Sequence, residues 1–136
     1  MDIAYPLAPV AGYLAAGSLK FAINTLKEGR LAFGRIGLGG IPSTHTTIVW
    51  TTCWLLGLKV GFGTPWFAVA LTLAVIVMID AMDLRRKVGL HAAALKTLYP
   101  ADPVVQALRE RMGHSPVEVL AGVATGGVCA LVLNLL

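Results

Sequence analysis

The sequence has few charged residues for its length. Of its 136 residues only 13% are Asp, Glu, Lys or Arg, while 57% are hydrophobic. Water-soluble domains carry roughly 25% charged residues. So small a polar complement cannot cover a water-facing surface, which excludes a soluble globular protein and indicates a membrane protein. Because domains typically run to about 100–150 residues, we expect residues 1–136 to form a single membrane domain.

Cysteine and acidic residues are also scarce. The two cysteines, Cys53 and Cys129, each lie inside an apolar run, and their spacing matches neither a disulfide framework nor a metal site. Seven acidic residues against eleven Lys and Arg give a net charge of +4. Beside long apolar runs, this excess indicates loops that lie against anionic lipid headgroups rather than a surface for nucleic acid.

Four apolar stretches approach the length that a membrane span requires. Crossing about 30 Å of hydrocarbon takes about 20 residues in a helix. The stretches are residues 5–26, 44–58, 65–82 and 116–136. No basic segment precedes the first of them, so we expect it to remain as a membrane helix rather than to be removed as a signal peptide. The pattern predicts an all-α polytopic protein with four transmembrane helices.

The third connection, residues 83–114, has an amphipathic pattern. Its apolar residues recur at helical spacing, at Leu84, Val88, Leu95, Leu98 and Tyr99. Basic residues lie opposite them, at Arg85, Arg86, Lys87 and Lys96. Such a pattern is typical of a helix that lies in the membrane interface. The predicted fold is therefore four spans plus an interfacial amphipathic helix.

The basic residues are distributed unequally among the connections. Lys27, Arg30 and Arg35 lie in the first connection, a larger group lies in the third, and only Lys59 lies near the second. Basic loops stay on the cytoplasmic side of a membrane. This predicts that the first and third connections are cytoplasmic and that both termini lie outside the cell's inner membrane.

This topology places two histidines on one membrane face. His45 opens the second span and His114 opens the fourth, so both emerge at the cytoplasmic surface. The same surface holds Lys20, Asp80, Asp83, Arg85 and Arg86. Cations at this level can hold the oxygens of a lipid phosphate, and imidazoles can attack phosphorus or move protons.

Both histidine motifs also admit a structural interpretation. Glu118 lies four residues after His114 and can orient its imidazole, but Ser115-x-x-Glu118 is also a capping box with Pro116 at the first helical position. Ser43 or Thr44 can cap the second helix, while Gly37, Gly39 and Gly40 before them permit close approach of an anion to the backbone. His91 is interpreted as structural.

Three sequence stretches carry a resemblance to a known family. They are Gly39-Gly40-Ile41-Pro42-Ser43-Thr44-His45, Asp80-Ala81-Met82-Asp83-Leu84-Arg85-Arg86 and Gly113-His114-Ser115-Pro116-Val117-Glu118-Val119-Leu120-Ala121-Gly122. Over most of its length the chain resembles the divergent, small bacterial branch of the type 2 phosphatidic acid phosphatase superfamily, which is related to acid phosphatases and vanadium-dependent haloperoxidases. In the wider superfamily, three motifs build a phosphatase that needs no metal or cofactor.

The resemblance implies a role for each matching residue. His114 would be the nucleophile, Glu118 would orient it in place of the usual Asp, and His45 would protonate the leaving group. The phosphate would be bound by Lys20, Ser43, Thr44, Arg85 and Arg86, with Asp80 and Asp83 in support. Thr44 replaces a glycine of the usual motif, and a long connection separates Arg85 and Arg86 from His114. The superfamily's six-helix core is reduced to four helices, which allows a homo-oligomer to complete the site.

The leading hypothesis is a membrane phosphatase that hydrolyses a lipid phosphate or diphosphate through a phosphohistidine intermediate. One alternative is a non-catalytic binder or carrier of phospholipid or isoprenyl phosphate headgroups, which would use the same cations. Another is a structural membrane subunit, in which both histidines only begin helices. In all three cases the expected partners are membrane lipids and not nucleic acid.

The predicted topology can be tested by cysteine labelling. Single cysteines introduced near Gly40 and Pro103 should react with an impermeant reagent from the same side of the membrane, because both connections carry the basic residues. A cysteine near Lys59 should react from the opposite side. Labelling of the Gly40 and Pro103 regions from opposite sides would contradict the shared face.

Overall fold

A computed structural model describes residues 2–31 and 40–136, and this part of the chain is helical without strands. The elements in chain order are α1 (Ala4–Glu28), α2 (Thr44–Val60), α3 (Pro65–Ile79), a π-helical turn (Asp80–Leu84), α4 (Arg85–Leu98), α5 (Pro103–Gln106) and α6 (Pro116–Asn134). The all-helical fold class is thus confirmed for the described residues. Gly37, Gly39 and Arg35 lie outside them.

Three helices begin at side-chain caps, and the caps of α2 and α6 are those that the sequence predicts. Ser43 caps α2 by accepting a hydrogen bond from the Thr46 amide. Thr64 caps α3, which has a proline at its start. Ser115 caps α6 and forms the complete capping box with Glu118. Each cap satisfies a backbone N–H that has no partner within its own helix.

Helix α2 lies at the centre of the fold and contacts α1, α3 and α6. Its neighbours present small residues to it. A Cβ atom added at Gly12 of α1 would lie 2.7 Å from Thr51 Oγ1, and one added at Gly126 of α6 would lie 2.9 Å from the Thr51 amide nitrogen. Small residues at every fourth position let membrane helices approach closely. In α1 the buried residues follow this spacing, at Ala4, Ala8, Gly12 and Ala16.

Three helices of the described chain are long and apolar enough to cross a membrane: Ala4–Glu28, Pro65–Leu98 and Pro116–Asn134. Helix α2, with 17 residues, is shorter, so the predicted set of four spans is not confirmed. The helix that begins at Pro65 also does not end near Met82. It continues through the π-helical turn into α4 over 34 residues, so the separate interfacial helix predicted from the sequence is not confirmed either.

Polar contacts mark two levels along the helices. At one level the Lys59 ammonium forms a 2.7 Å ion pair with Asp2, and this hydrogen bond holds the pKa of the Asp2 carboxyl below its usual range. At the other level Lys20 Nζ donates to Thr44 Oγ1 over 2.9 Å. At 1.5 Å per residue, Thr44 and Lys59 are about 22 Å apart along α2. The two levels are therefore separated by roughly three quarters of the thickness of the hydrocarbon layer, which is about 30 Å.

The close contact between α2 and α6 predicts the effect of enlarging a glycine. Gly126→Ala should lower the free energy of unfolding in micelles by about 1–3 kcal/mol, because overpacking displaces neighbouring backbone. The matched control is Gly17→Ala, since no atom lies within 4 Å of a Cβ added at Gly17. This control should leave stability unchanged or raise it by up to about 1 kcal/mol. Equal effects of the two substitutions would contradict the packing argument.

Candidate functional site

A cluster of polar side chains lies where the first turns of α2 and α6 meet the π-helical turn and the late part of α1. We call it the histidine cluster. Its members are Lys20, Thr44, His45, Asp80, Arg85, His114 and Glu118. They come from four separate parts of the chain, so the fold alone brings them together.

Two backbone hydrogen bonds hold these parts in place. The Ser43 amide donates to the Glu118 carbonyl over 2.8 Å, and the His114 amide donates to the Ala81 carbonyl over 2.9 Å. The first bond joins the starts of α2 and α6, and the second fixes His114 to the π-helical turn. Gly113 permits this approach, because its φ of +92° favours glycine and an added Cβ would lie 3.1 Å from the Arg86 amide nitrogen.

The carboxylate of Glu118 performs two tasks. Its Oε2 atom lies 3.0 Å from His114 Nδ1 and also accepts a 2.8 Å hydrogen bond from the Ser115 amide. The structural and functional interpretations of Glu118 are therefore compatible. An ionised carboxylate only accepts hydrogen bonds, so it favours the tautomer with a proton on Nδ1. The Nε2 atom of His114 is then the nitrogen with a free lone pair.

The second histidine faces the first. The ring centroids of His45 and His114 are 6.3 Å apart, and the rings are inclined at 59°. His45 is half-buried, and its Nδ1 atom is buried without a hydrogen-bond partner in the described part of the chain. Buried polar groups normally have partners. This imidazole is thus available to a bound polar group.

Two cations lie beside the histidines. Lys20 donates to Thr44 and is close enough to Glu118 for the two charges to interact. Arg85 acts electrostatically on His45, and its Nε atom lies 3.5 Å from Asp80 Oδ2. The 29-residue separation between Arg85 and His114 is closed by the bond between the π-helical turn and the His114 amide.

Several residues predicted from the sequence do not face the cluster. Ser43 is fully buried, and its hydroxyl accepts from the Thr46 amide and hydroxyl. Asp83 pairs with Lys87 over 2.8 Å on the exposed side of the helix. Arg86 is exposed as well, and its backbone lies beside Gly113 in the loop before His114. The contacts of these residues are structural.

The contribution of Ala81 to the site is not predicted by the sequence. Its carbonyl positions His114, and no side-chain pattern indicates a backbone group of this kind. The nearest signal in the sequence is Asp80, because a carboxylate on an otherwise apolar helix usually has a partner or a function.

His91 is exposed on α4. Among residues 2–31 and 40–136 there is no group of His, Cys, Asp or Glu that would hold a metal ion.

Comparison with known proteins agrees with the resemblance in the motifs. The sequence model of a family described as "Divergent PAP2 family" matches residues 4–129. The uncharacterized membrane protein YuiD of Bacillus subtilis (strain 168) is 31% identical over 144 residues, which cover 93% of this chain and 91% of that protein. No solved structure matches the chain. With its several apolar helices, the chain is a multi-pass membrane protein.

The double task of Glu118 can be separated by substitution. Ser115→Ala should lower the free energy of unfolding by about 1 kcal/mol, because it removes the α6 cap. Glu118→Gln should lower it less, since glutamine also completes a capping box. Unfolding of both variants in micelles is the measurement. A larger loss for Glu118→Gln would show that the charged contact with His114 stabilises the fold more than the cap does.

Proposed function

Because the chain belongs to the Divergent PAP2 family, we propose that it is a membrane phosphatase that hydrolyses a lipid phosphate or diphosphate. One observation carries the proposal. His114 is held at Nδ1 by Glu118, and a second imidazole, His45, faces it at 6.3 Å. A nucleophile oriented by a carboxylate, with an acid opposite it, is the arrangement that covalent phosphoryl transfer requires.

In the first step His114 Nε2 attacks phosphorus. The N–P bond forms as the bond from phosphorus to the lipid oxygen breaks, and protonated His45 gives its proton to that oxygen. Attack requires a nitrogen at about 3–3.5 Å from phosphorus, and proton transfer requires about 2.6–3.2 Å from acid to leaving oxygen. These distances exceed the room between two rings whose centroids are 6.3 Å apart, so the phosphoryl group would lie beside the pair of rings, within reach of one nitrogen of each.

In the second step water hydrolyses the phosphohistidine. Neutral His45 accepts a proton from the water as its oxygen bonds to phosphorus, and the N–P bond breaks to release inorganic phosphate. Throughout, Glu118 stabilises the charge that develops on the His114 ring. The products are a lipid alcohol, or a lipid monophosphate from a diphosphate, and phosphate, and both histidines return to their starting states.

The cations of the cluster would bind the equatorial phosphate oxygens. Arg85 Nε and His45 Nδ1 are both buried without hydrogen-bond partners among residues 2–31 and 40–136. Phosphate oxygens are strong acceptors that satisfy such nitrogens when these carry a proton. Lys20, on α1, adds a further positive charge to the site. Spreading the negative charge of the transition state over fixed cations is the main catalytic effect in phosphoryl transfer.

The level of the cluster fits a lipid substrate. It lies about 22 Å along α2 from the Asp2–Lys59 ion pair, and this separation supports positions near opposite membrane surfaces for the cluster and the ion pair. A lipid headgroup reaches that level while its tails remain among the exposed apolar side chains of the helices. The excess of Lys and Arg in the adjoining connections supports a position of the cluster on the cytoplasmic face of the inner membrane, with both termini outside.

The proposal predicts phosphate release that depends on both cluster histidines. Purified protein should release phosphate from at least one member of a panel of phosphatidate, phosphatidylglycerophosphate, and isoprenyl phosphates and diphosphates. His114→Ala should lower kcat by at least about 10³-fold, and His45→Ala by about 10²–10⁴-fold. His91→Ala is the matched control, because this exposed histidine lies outside the cluster, and it should retain full activity.

Two outcomes would contradict the proposal. One is full activity of His114→Ala, and the other is the absence of phosphate release across the panel by folded protein. Binding of these lipids without release would instead select a non-catalytic binder or carrier of phosphate headgroups.

The same assay can be run on Glu118→Gln. This variant retains the α6 cap but should lower kcat by about 10²-fold or more, because the imidazole loses its anionic partner.

A further inference from the structure

The π-helical turn brings Asp80 and Arg85 together. In an α-helix, residues five positions apart point about 140° away from each other, since each residue adds about 100°. In this turn the Arg85 amide donates to the Asp80 carbonyl, which is the i to i+5 bond of a π-helix. The two side chains therefore project to the same side, where Arg85 Nε lies 3.5 Å from Asp80 Oδ2.

This ion pair is loose. The side chains of Arg85 and Asp80 are 37% and 39% exposed, and the 3.5 Å contact leaves Arg85 Nε without a hydrogen bond. Both side chains act electrostatically on His45. Asp83, in the same turn, instead pairs with Lys87 at 2.8 Å. Of the two acidic residues in the turn, Asp80 alone belongs to the histidine cluster.

We propose that Asp80 is an exchangeable counter-ion for Arg85, which holds the guanidinium in the empty site and takes it back when product phosphate leaves. The inference rests on the proposed function, because it assigns the anion to the same site. Asp80 is a positioning residue and touches no reacting atom. Its carboxylate competes with phosphate for one cation, so it weakens phosphate binding and favours product release.

The direction of the effect follows from charge. Arginine forms its strongest contacts with carboxylates and phosphates, and here a carboxylate already lies beside the guanidinium. A bound phosphate must displace this carboxylate and also experience its repulsion. Neutralising Asp80 removes both effects, so phosphate should bind more tightly and leave more slowly. A residue that only supported the fold would have the opposite effect or none.

The test is binding of inorganic phosphate to the purified full chain in micelles, followed by calorimetry or ³¹P NMR. Asp80→Asn should lower the Kd by about tenfold, the effect expected for removing one charge a few ångströms away at a membrane surface. The matched control, Asp83→Asn, makes the same change in the same turn and should leave the Kd unchanged. Asp80→Glu, which keeps the charge, should remain near the wild-type value.

A Kd that is unchanged or raised in folded Asp80→Asn would overturn the inference, as would the absence of phosphate binding by both proteins. If Asp80→Asn does not fold, Asp80→Ala carries the same test, because it also removes the charge. In turnover assays, Asp80→Asn should show stronger inhibition by product phosphate together with a lower kcat. Wild-type protein that binds phosphate but releases none from lipids would refute the proposed function and leave the counter-ion inference standing.

Discussion

The hydrogen bond from the Ser43 amide to the Glu118 carbonyl is the contact on which the rest of the site depends. It joins the first turns of two helices that run side by side, and because Ser43 is fully buried, its amide must find a partner within the protein. The bond brings the start of α2 beside the start of α6, where His45 lies near His114 and His114 contacts Glu118, four residues later. Glycines at Gly122 and Gly126 permit this close approach, since an added Cβ at Gly122 would lie 2.9 Å from the Ser43 carbonyl oxygen.

Much of the local structure could be predicted from the sequence, because it depends on signals within a few residues. The Ser43 and Ser115 caps and the contact between His114 and Glu118 are of this kind. The apolar composition was sufficient to indicate a helical membrane protein. The shared location of His45 and His114 was an inference from alternating spans, and the structure brings the two rings together.

The remaining features depend on tertiary contacts that leave little trace in the sequence. The π-helical turn replaces a break expected after Met82, because apolar and basic segments look like separate elements although one helix contains both. The bond between Ala81 and His114 uses backbone atoms alone. Ser43 is the opposite case, in which a sequence motif is clear but the contact differs from the expected one. The motif assigns it to phosphate binding, but its hydroxyl caps α2 and its side chain is buried. The sequence motifs therefore predict which residues lie in the histidine cluster better than they predict the contacts that each residue makes.

The continuous helix from Pro65 to Leu98 supports both the cationic and the imidazole side of the site. Arg85 lies within it, and α4 extends for about 20 Å beyond that residue. Residues 99–114 lead from the end of α4 back to the histidine cluster. The Lys96–Glu110 ion pair joins them to α4, and they end at His114. One continuous helix therefore carries Asp80 and Arg85, and through the Lys96–Glu110 ion pair and the bond from the His114 amide to the Ala81 carbonyl it also fixes the position of His114.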